Sequence, residues 1–538
     1  MAEAALAYIK EMPSLLQQLP ELIKRLPELV KELPDLLKNV PVSAAAGVVV
    51  LIALSRFVVG EVRSYYRLAH VPGPKICGWT NLYIARKMYG GRMHYDLLDM
   101  MKEYGPLYRT GPNSLVVSDP DIIRRMSAAR SEYIRGPFYK SVQIDAKHDN
   151  IFSMQDDNMH KILKSKMGPG YSGRELGGFE PCIDKHVAGF VNLIDSKYIS
   201  QSDDYRPMDL ALKCNYFALD VISDLGFGAP FGFLEEDRDL YQYNEITRQF
   251  FPFVMFMANV PALLDMLGRW PLTKMGPTAG DANGFGRLMG FAAQFVDSRL
   301  GPNAKSGRDM MQSFVNAGLT RDELMQEVFV ETVAGSDTTA TAVRSTLLCL
   351  LGNPNAMNKL LAEISNGIAK GQISSPIKDS EAKEMPYLQA VIREGIRMFP
   401  PATGILNKQV PPGGDNILGY EIPEGVQIGH NIAGLMRTQD IFGPDAEAFR
   451  PDRWLEAESE PEKLKEMLGA VDLVFGYGKY MCLGRTIAQM ELNKVFVELL
   501  RRFEFQLVHV DKPMNLMSAA MLIMDDFWVR VTRREDAE

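Results

Sequence analysis

The sequence predicts a mainly α-helical fold with minor β sheets, gathered in one large domain behind a distinct N-terminal segment. Three observations carry that expectation. Apolar residues recur at helical spacing along most of the chain. Apolar–polar alternation around Gly and Pro turns is confined to short runs near residues 106–118 and 416–429. From about residue 75 onward no linker, low-complexity tract or repeat divides the chain. The 538 residues are 46% hydrophobic and 23% charged, the balance of a chain that buries a core rather than a disordered one.

The N-terminal elements come first. In "MPSLLQQLPELIKRLPELVKELPDLLKNVP" (12–41), Pro13, Pro20, Pro27, Pro34 and Pro41 stand seven residues apart. Each proline removes a helix hydrogen bond, which disfavours a regular coiled coil. Leu19, Leu22, Ile23 and Leu26 still form one apolar stripe. Residues 1–41 therefore read as a curved amphipathic segment lying at a bilayer surface, with a tolerated spacer as the alternative. The run "VSAAAGVVVLIALSRFVV" (42–59) is long enough to cross the hydrocarbon core, and Arg56 is placed to snorkel. A single transmembrane anchor at 42–60 is expected, with a buried core helix as the alternative. Lys31 and Lys38 on one side, and Arg56, Arg63 and Arg67 on the other, leave its orientation open. Residues 61–75 end in "VPGPK" and read as a proline-rich hinge. Residues 76–538 form the main domain.

Charge and cysteine usage narrow the function. Net charge is −8 with no Lys/Arg-rich block, so nucleic acid is not an expected partner. The five cysteines are Cys77, Cys182, Cys214, Cys349 and Cys482. Their number is odd and no two lie at metal-ligand spacing, so neither a disulfide framework nor a zinc-type Cys/His cluster is expected.

Two segments of the main domain stand out. The stretch 321–352 reads as a long, mostly buried helix. Gly335 and three threonines cluster in its middle and suggest a local distortion. The second is "FGYGKYMCLG" (475–484), one cysteine in a glycine-rich turn before the helical pattern 485–503. Gly476, Gly478 and Gly484 permit close backbone approach and φ > 0. A thiolate just before a helix start gains from its dipole and unpaired N–H groups. A lone cysteine suits a metal whose other positions are already filled, as in haem; a small buried hydrophobe is the alternative. Phe475, Gly478, Cys482 and Gly484 fit F-x-x-G-x-x-x-C-x-G, for which composition gives about 0.002 chance matches.

This loop resembles the haem-ligand loop of the cytochrome P450 family, and further motifs follow the family's order. "AGSDTT" (334–339) is similar to its oxygen-activation segment. "EGIR" (394–397) matches its E-x-x-R pair, and "FRPDRW" (449–454) the segment that closes on it. The resemblance covers roughly residues 70–538 and is greatest to fungal microsomal members of secondary metabolism, of the pisatin demethylase-like kind. It implies a cytochrome P450 fold and haem b held by the Cys482 thiolate, a ligand that favours O–O cleavage. It implies Asp337 and Thr338 as an acid–alcohol pair in proton delivery. Glu394, Arg397 and Arg453 become a structural ion cluster. Ala334 and Gly335 would leave room beside the haem.

Two departures matter. Tyr480 stands where the family has a basic residue, and His160 and Lys164 stand where it has Trp-x-x-x-Arg. The expected cofactor contacts are thus Phe475, Gly478, Tyr480, Gly484, His160 and Lys164, with Tyr480 donating to a propionate and His160 and Lys164 supplying charge. By the same analogy, 401–405, 518–524 and parts of 247–261 line an apolar substrate pocket, terpenoid or polyketide-like in class. Electrons would come from NADPH–cytochrome P450 reductase, with cytochrome b5 as a further donor. Lys479, Arg485, Arg501 and Arg502 would form a basic docking face, or ordinary solvated charges. The implied setting is the endoplasmic reticulum membrane, with a single-pass anchor and a cytosolic catalytic domain. The implied activity is a haem-thiolate monooxygenase. A haem-thiolate isomerase or dehydratase working without reductase, and a non-catalytic haem-binding membrane protein, are the alternatives.

Overall fold

The computed structural model describes residues 42–143, 148–174, 177–260, 266, 278–281, 283–301, 304 and 306–535. The proline heptads lie outside the described residues. The chain divides into two compact units, Met1–Tyr66 and Arg67–Glu538.

In the first unit a helix begins at Val42, and it continues to Arg67, past the expected end of the anchor at residue 60. Leu51, Ile52, Leu54, Phe57, Val58 and Val59 are all exposed on it. Arg56, Glu61, Arg63 and Arg67 interrupt its second half. Among the described residues no helix is long and apolar enough to cross a membrane, so the expected span at 42–60 gains no support from the fold.

The second unit begins by fixing the expected hinge in place. The Arg109 N–H donates to Pro72 O at 2.7 Å. Gly73 has φ +151°, and a Cβ there would fall 2.7 Å from Arg109 O. "VPGPK" is thus pinned to the strand Leu107–Gly111 rather than forming a loose joint.

Both strand runs expected from the sequence form strands, and they meet. Leu107–Gly111 pairs antiparallel with Ser114–Val117, whose other edge pairs parallel with Gln427–His430. Lys408–Gln409 and Ile134–Arg135 complete this five-stranded sheet. A hairpin Asp415–Ile417/Tyr420–Ile422, a hairpin Asn515–Ala519/Met521–Asp525 and a three-stranded sheet make up the rest. Helices supply most of the remainder.

The long helix runs Arg321–Leu351 and starts with a capping box between Thr320 and Glu323. It buries Leu324, Val328, Val343, Leu347 and Leu350, each worth about 1.5–3 kcal/mol. The expected distortion is absent: the helix is unbroken. Its hydroxyls bond back one turn instead, Thr332 to Val328 O at 2.8 Å and Ser336 to Thr332 O at 2.7 Å. Gly335 serves packing rather than open room. A Cβ there would lie 2.6 Å from Ile222 Cγ1, so its bare backbone lets the helix Leu210–Phe227 approach.

Glu394 sits on the helix Pro386–Met398 with no exposed side-chain surface. Arg397 grips it through Nε at 2.9 Å and Nη2 at 2.8 Å. Arg453 Nε, Trp454 Nε1 and the Arg450 N–H donate at 2.9, 3.0 and 2.8 Å. Arg397 also donates to Met436 O, Ala446 O and Ala448 O at 2.7, 2.6 and 2.9 Å. Burial raises the Glu394 carboxyl, but the two guanidiniums outweigh it and hold the group below the usual carboxylate range. The expected ion cluster is present, and it ties three chain segments together.

Candidate functional site

Cys482 lies between the short turn Gly478–Tyr480 and the helix Arg485–Leu500. Its own N–H donates to Phe475 O at 2.8 Å and closes the loop. Gly476 and Gly478 have φ +73° and +56°. A Cβ at Gly478 would fall 2.3 Å from Ser127 O, and one at Gly476 would fall 2.7 Å from Tyr480 O. Both glycines are required, as expected. Gly484 is different: its φ is −80°. A Cβ there would stand 3.9 Å from Cys482 Sγ, so it borders the sulfur instead of relieving strain.

The electrostatics of the thiol depart from the sequence argument. Burial pushes the Cys482 thiol up. The Gly484 N–H, the Lys164 ammonium and the Arg485 N–H pull it down without cancelling the rise. The helix start does aim its N–H groups at the sulfur, and the residue is exposed on the loop, open to a bound group. A cation bound there would displace the thiol proton, because a coordinated thiol is deprotonated outright.

The three expected propionate contacts are differently employed. His160 is buried, its ring 5.5 Å from that of Tyr480. Burial, with Arg135 and Lys164 nearby, lowers its pKa to about 3, so it is neutral and supplies no charge. Lys164 Nζ donates to Lys479 O and Met481 O, both at 2.9 Å, bracing the cysteine loop from behind. Tyr480 donates its hydroxyl to Asp157 Oδ1 at 2.6 Å.

Two cations that the sequence did not single out occupy the ground beside them. Arg135 and Lys408 stand in direct register on neighbouring strands, where like charges destabilise a sheet. The Arg135 guanidinium lies 4.7 Å from the Tyr480 ring centroid, and its Nε is buried without a hydrogen-bond partner. Lys408 is buried, donates to Ser127 Oγ at 2.8 Å and lies 5.4 Å from the same ring. Burial, then Arg135 and Lys479, lowers its pKa to about 7. Lys479 pairs with Asp157 and donates to Ser131 O and Tyr133 O, each at 2.8 Å. Buried cations in surplus call for an anion. A cysteine sulfur linked to such a surplus through Lys164 fits an iron porphyrin with its two carboxylates. No local motif marks Arg135 or Lys408, because their meeting depends on strand pairing across more than half the chain.

The long helix presents the acid and the alcohol. Asp337 Oδ1 accepts from Asn215 Nδ2 at 2.8 Å and Oδ2 from Tyr243 OH at 3.3 Å. Burial raises its carboxyl despite Arg344, Tyr243 and Asn215, which favours a proton on it. Thr338 donates its hydroxyl to Ala334 O at 2.7 Å. Ala334 is exposed one turn earlier on the same side. Asn215 and Tyr243 come from the helices Leu210–Phe227 and Tyr243–Ala258, and neither was expected in the site.

The three segments expected around a substrate do converge. Met255, Ala258, Ile405, Ala519 and Ala520 share one apolar cluster. The N–H groups of Thr403 and Gly404 donate to Ala520 O at 2.8 and 2.7 Å. The basic docking face does not form as expected. Lys479 is engaged with Asp157, Arg485 with Asp472 at 2.6 Å, and Arg501 and Arg502 with Glu498. These charges satisfy internal partners.

The chain belongs to the cytochrome P450 family, whose model matches residues 71–526. It is a monooxygenase of that family, a class that binds haem through a cysteine thiolate. Its relatives include cytochrome P450 monooxygenase ABA1 of Pyricularia oryzae, 40% identical over 90% of this chain and 96% of the relative. Cytochrome P450 monooxygenase aba1 of Botryotinia fuckeliana is 38% identical over 88% and 93%. Cytochrome P450 monooxygenase abl1 of Leptosphaeria maculans is 37% identical over 86% and 82%.

Proposed function

We propose that this enzyme oxidises an apolar small molecule of terpenoid or polyketide-like class in fungal secondary metabolism, on haem b held by Cys482, with electrons from NADPH–cytochrome P450 reductase. When bound, the haem supplies the iron centre at which dioxygen is activated. One observation carries the site assignment: two N–H groups are aimed at the Cys482 sulfur, and Lys164, whose charge acts on that sulfur, also feels Arg135 of the Arg135–Lys408 cation pair. In this reading Arg135 and Lys408 hold the propionate edge, while Lys164 and the Tyr480–Asp157 bond brace the loop beside it. Asp337 carries the proton and Thr338 positions it. The apolar cluster of Met255, Ile405 and Ala519 selects an uncharged substrate.

The exposed apolar helix side chains ahead of residue 60 support attachment to the endoplasmic reticulum membrane, with residues 76–538 as the cytosolic catalytic domain. Cytochrome b5 is a further electron donor in this reading.

The reduced, carbon-monoxide-bound spectrum tests the centre. Wild type shows the thiolate-type Soret band, and Cys482→Ala loses it while Cys349→Ala keeps it. An unchanged band in Cys482→Ala would remove Cys482 from the iron.

A further inference from the structure

No two cysteines lie at metal-ligand spacing along the chain, but the fold brings one of them next to other ligand types. Among the described residues, one group of metal-ligating side chains converges: the ligand atoms of Cys182, His186 and Asp224 lie within 4.8 Å of one another. Cys182 and His186 are four residues apart on the helix Glu180–Lys197, one turn above the other. Asp224 comes from the helix Leu210–Phe227. His186 is buried, with Nε2 2.8 Å from Asp224 Oδ2.

A second observation points to a ligand at this place. Glu491, on the helix Arg485–Leu500, is buried at 3% exposure and its Oε2 has no hydrogen-bond partner. It stands near enough for its charge to act on the Cys182 thiol. A buried carboxylate oxygen without a partner is costly and calls for a cation or a proton. A cleft of about 460 Å³, lined in part by Cys182, Asp224, Leu225 and Gly228, opens beside the group and gives a path in. Lys185 holds Asp224 at 2.7 Å, but its side chain is 60% exposed and turns into solvent at little cost.

We propose that Cys182, His186 and Asp224 form a site for a divalent cation of the zinc class, with Glu491 as the neighbouring acid. One thiolate, one imidazole and one carboxylate are the donors that tetrahedral zinc takes, and they leave a fourth position for water. Binding forms a Zn–S bond, and the Cys182 proton passes to solvent. No electrons move. The cation pins the helix Glu180–Lys197 to Leu210–Phe227, the same helix that supplies Asn215 to Asp337. The site is separate from the haem thiolate and does not depend on it.

The test uses full-length, haem-loaded enzyme, stripped with a chelator and dialysed against zinc sulfate. One zinc per haem is expected. Zinc K-edge absorption should show a single sulfur neighbour at about 2.3 Å. Cys182→Ser should lose the sulfur shell and bind zinc about tenfold or more weakly. His186→Gln should weaken binding similarly while keeping the sulfur. The reduced carbon-monoxide band reports that each variant is folded. Should Cys182→Ser fail to fold, the wild-type sulfur shell and His186→Gln decide. No stoichiometric zinc in wild type, a shell of nitrogen and oxygen alone, or an unaltered sulfur shell in Cys182→Ser overturns the proposal.

Discussion

Thr338 shows how a functional residue and an ordinary one share the same contact. Its hydroxyl donates to Ala334 O at 2.7 Å, as hydroxyls in helices commonly do. What distinguishes it is the neighbouring Asp337, held by Asn215 and Tyr243 with its carboxyl raised by burial. A carboxyl whose burial favours the protonated form can serve as a proton source, and an adjacent hydroxyl can pass that proton on. Thr338→Ala should therefore retain the haem spectrum and divert reducing equivalents into peroxide, with coupling of NADPH use to product falling severalfold. Peroxide release per NADPH is the measurement, and unchanged coupling would leave Thr338 a helix residue only. At this scale Cys482 was legible because the glycines around it are forced by contacts within the loop or with the adjacent Ser127 turn. Arg135 and Lys408 were not legible, because an isolated cation in a two-residue strand carries no pattern. Their meaning arises only when the strands bring them face to face. His160 carries a related lesson: nothing local to the sequence shows that burial will lower the pKa of its ring.

Elements were easier to read than their tasks. The helix Arg321–Leu351 was expected almost to the residue, from periodicity alone. Its Gly335 was given to the wrong neighbour, since only the fold shows Ile222 pressing against it. The E-x-x-R element was recognised as an ion cluster, but Trp454 and the Arg450 N–H as further donors to Glu394 were missed. Those donors make the element sensitive. Removing one partner of a buried ion group costs about 3–5 kcal/mol, against a total stability of about 5–15 kcal/mol. Glu394→Gln keeps the shape, removes the charge and leaves the buried Arg397 guanidinium without a counterion, while Arg453 keeps Asp445 at 2.9 Å. Haem incorporation should fall sharply and the melting temperature should drop by about 3–5 °C. A fluorescence melt and the carbon-monoxide band measure both. Normal stability in Glu394→Gln would mean that the carbonyls of Met436, Ala446 and Ala448 satisfy Arg397 by themselves.

At the scale of the whole molecule, the division between Met1–Tyr66 and Arg67–Glu538 places every residue assigned to the haem, the proton path and the ion cluster in the second unit. The two units answer to different physics. The second is organised by a buried core that includes Leu68 and Val71 at its very start. The described part of the first is a helix whose Leu51, Ile52, Leu54, Phe57, Val58 and Val59 remain exposed to solvent. Side chains of this size are each worth about 1.5–3 kcal/mol on transfer from water to an apolar medium. In the proposed membrane reading these side chains enter the apolar layer while Arg56 reaches the headgroups. A chain beginning at Met-Arg67 should therefore keep the thiolate-type spectrum at normal intensity. It should also move from the pellet to the supernatant when sedimented with phosphatidylcholine vesicles, while the full-length chain pellets. Retention of the shortened chain in the pellet would place the membrane contact within residues 67–538. Loss of its haem spectrum would show that the N-terminal unit supports the fold as well as its location.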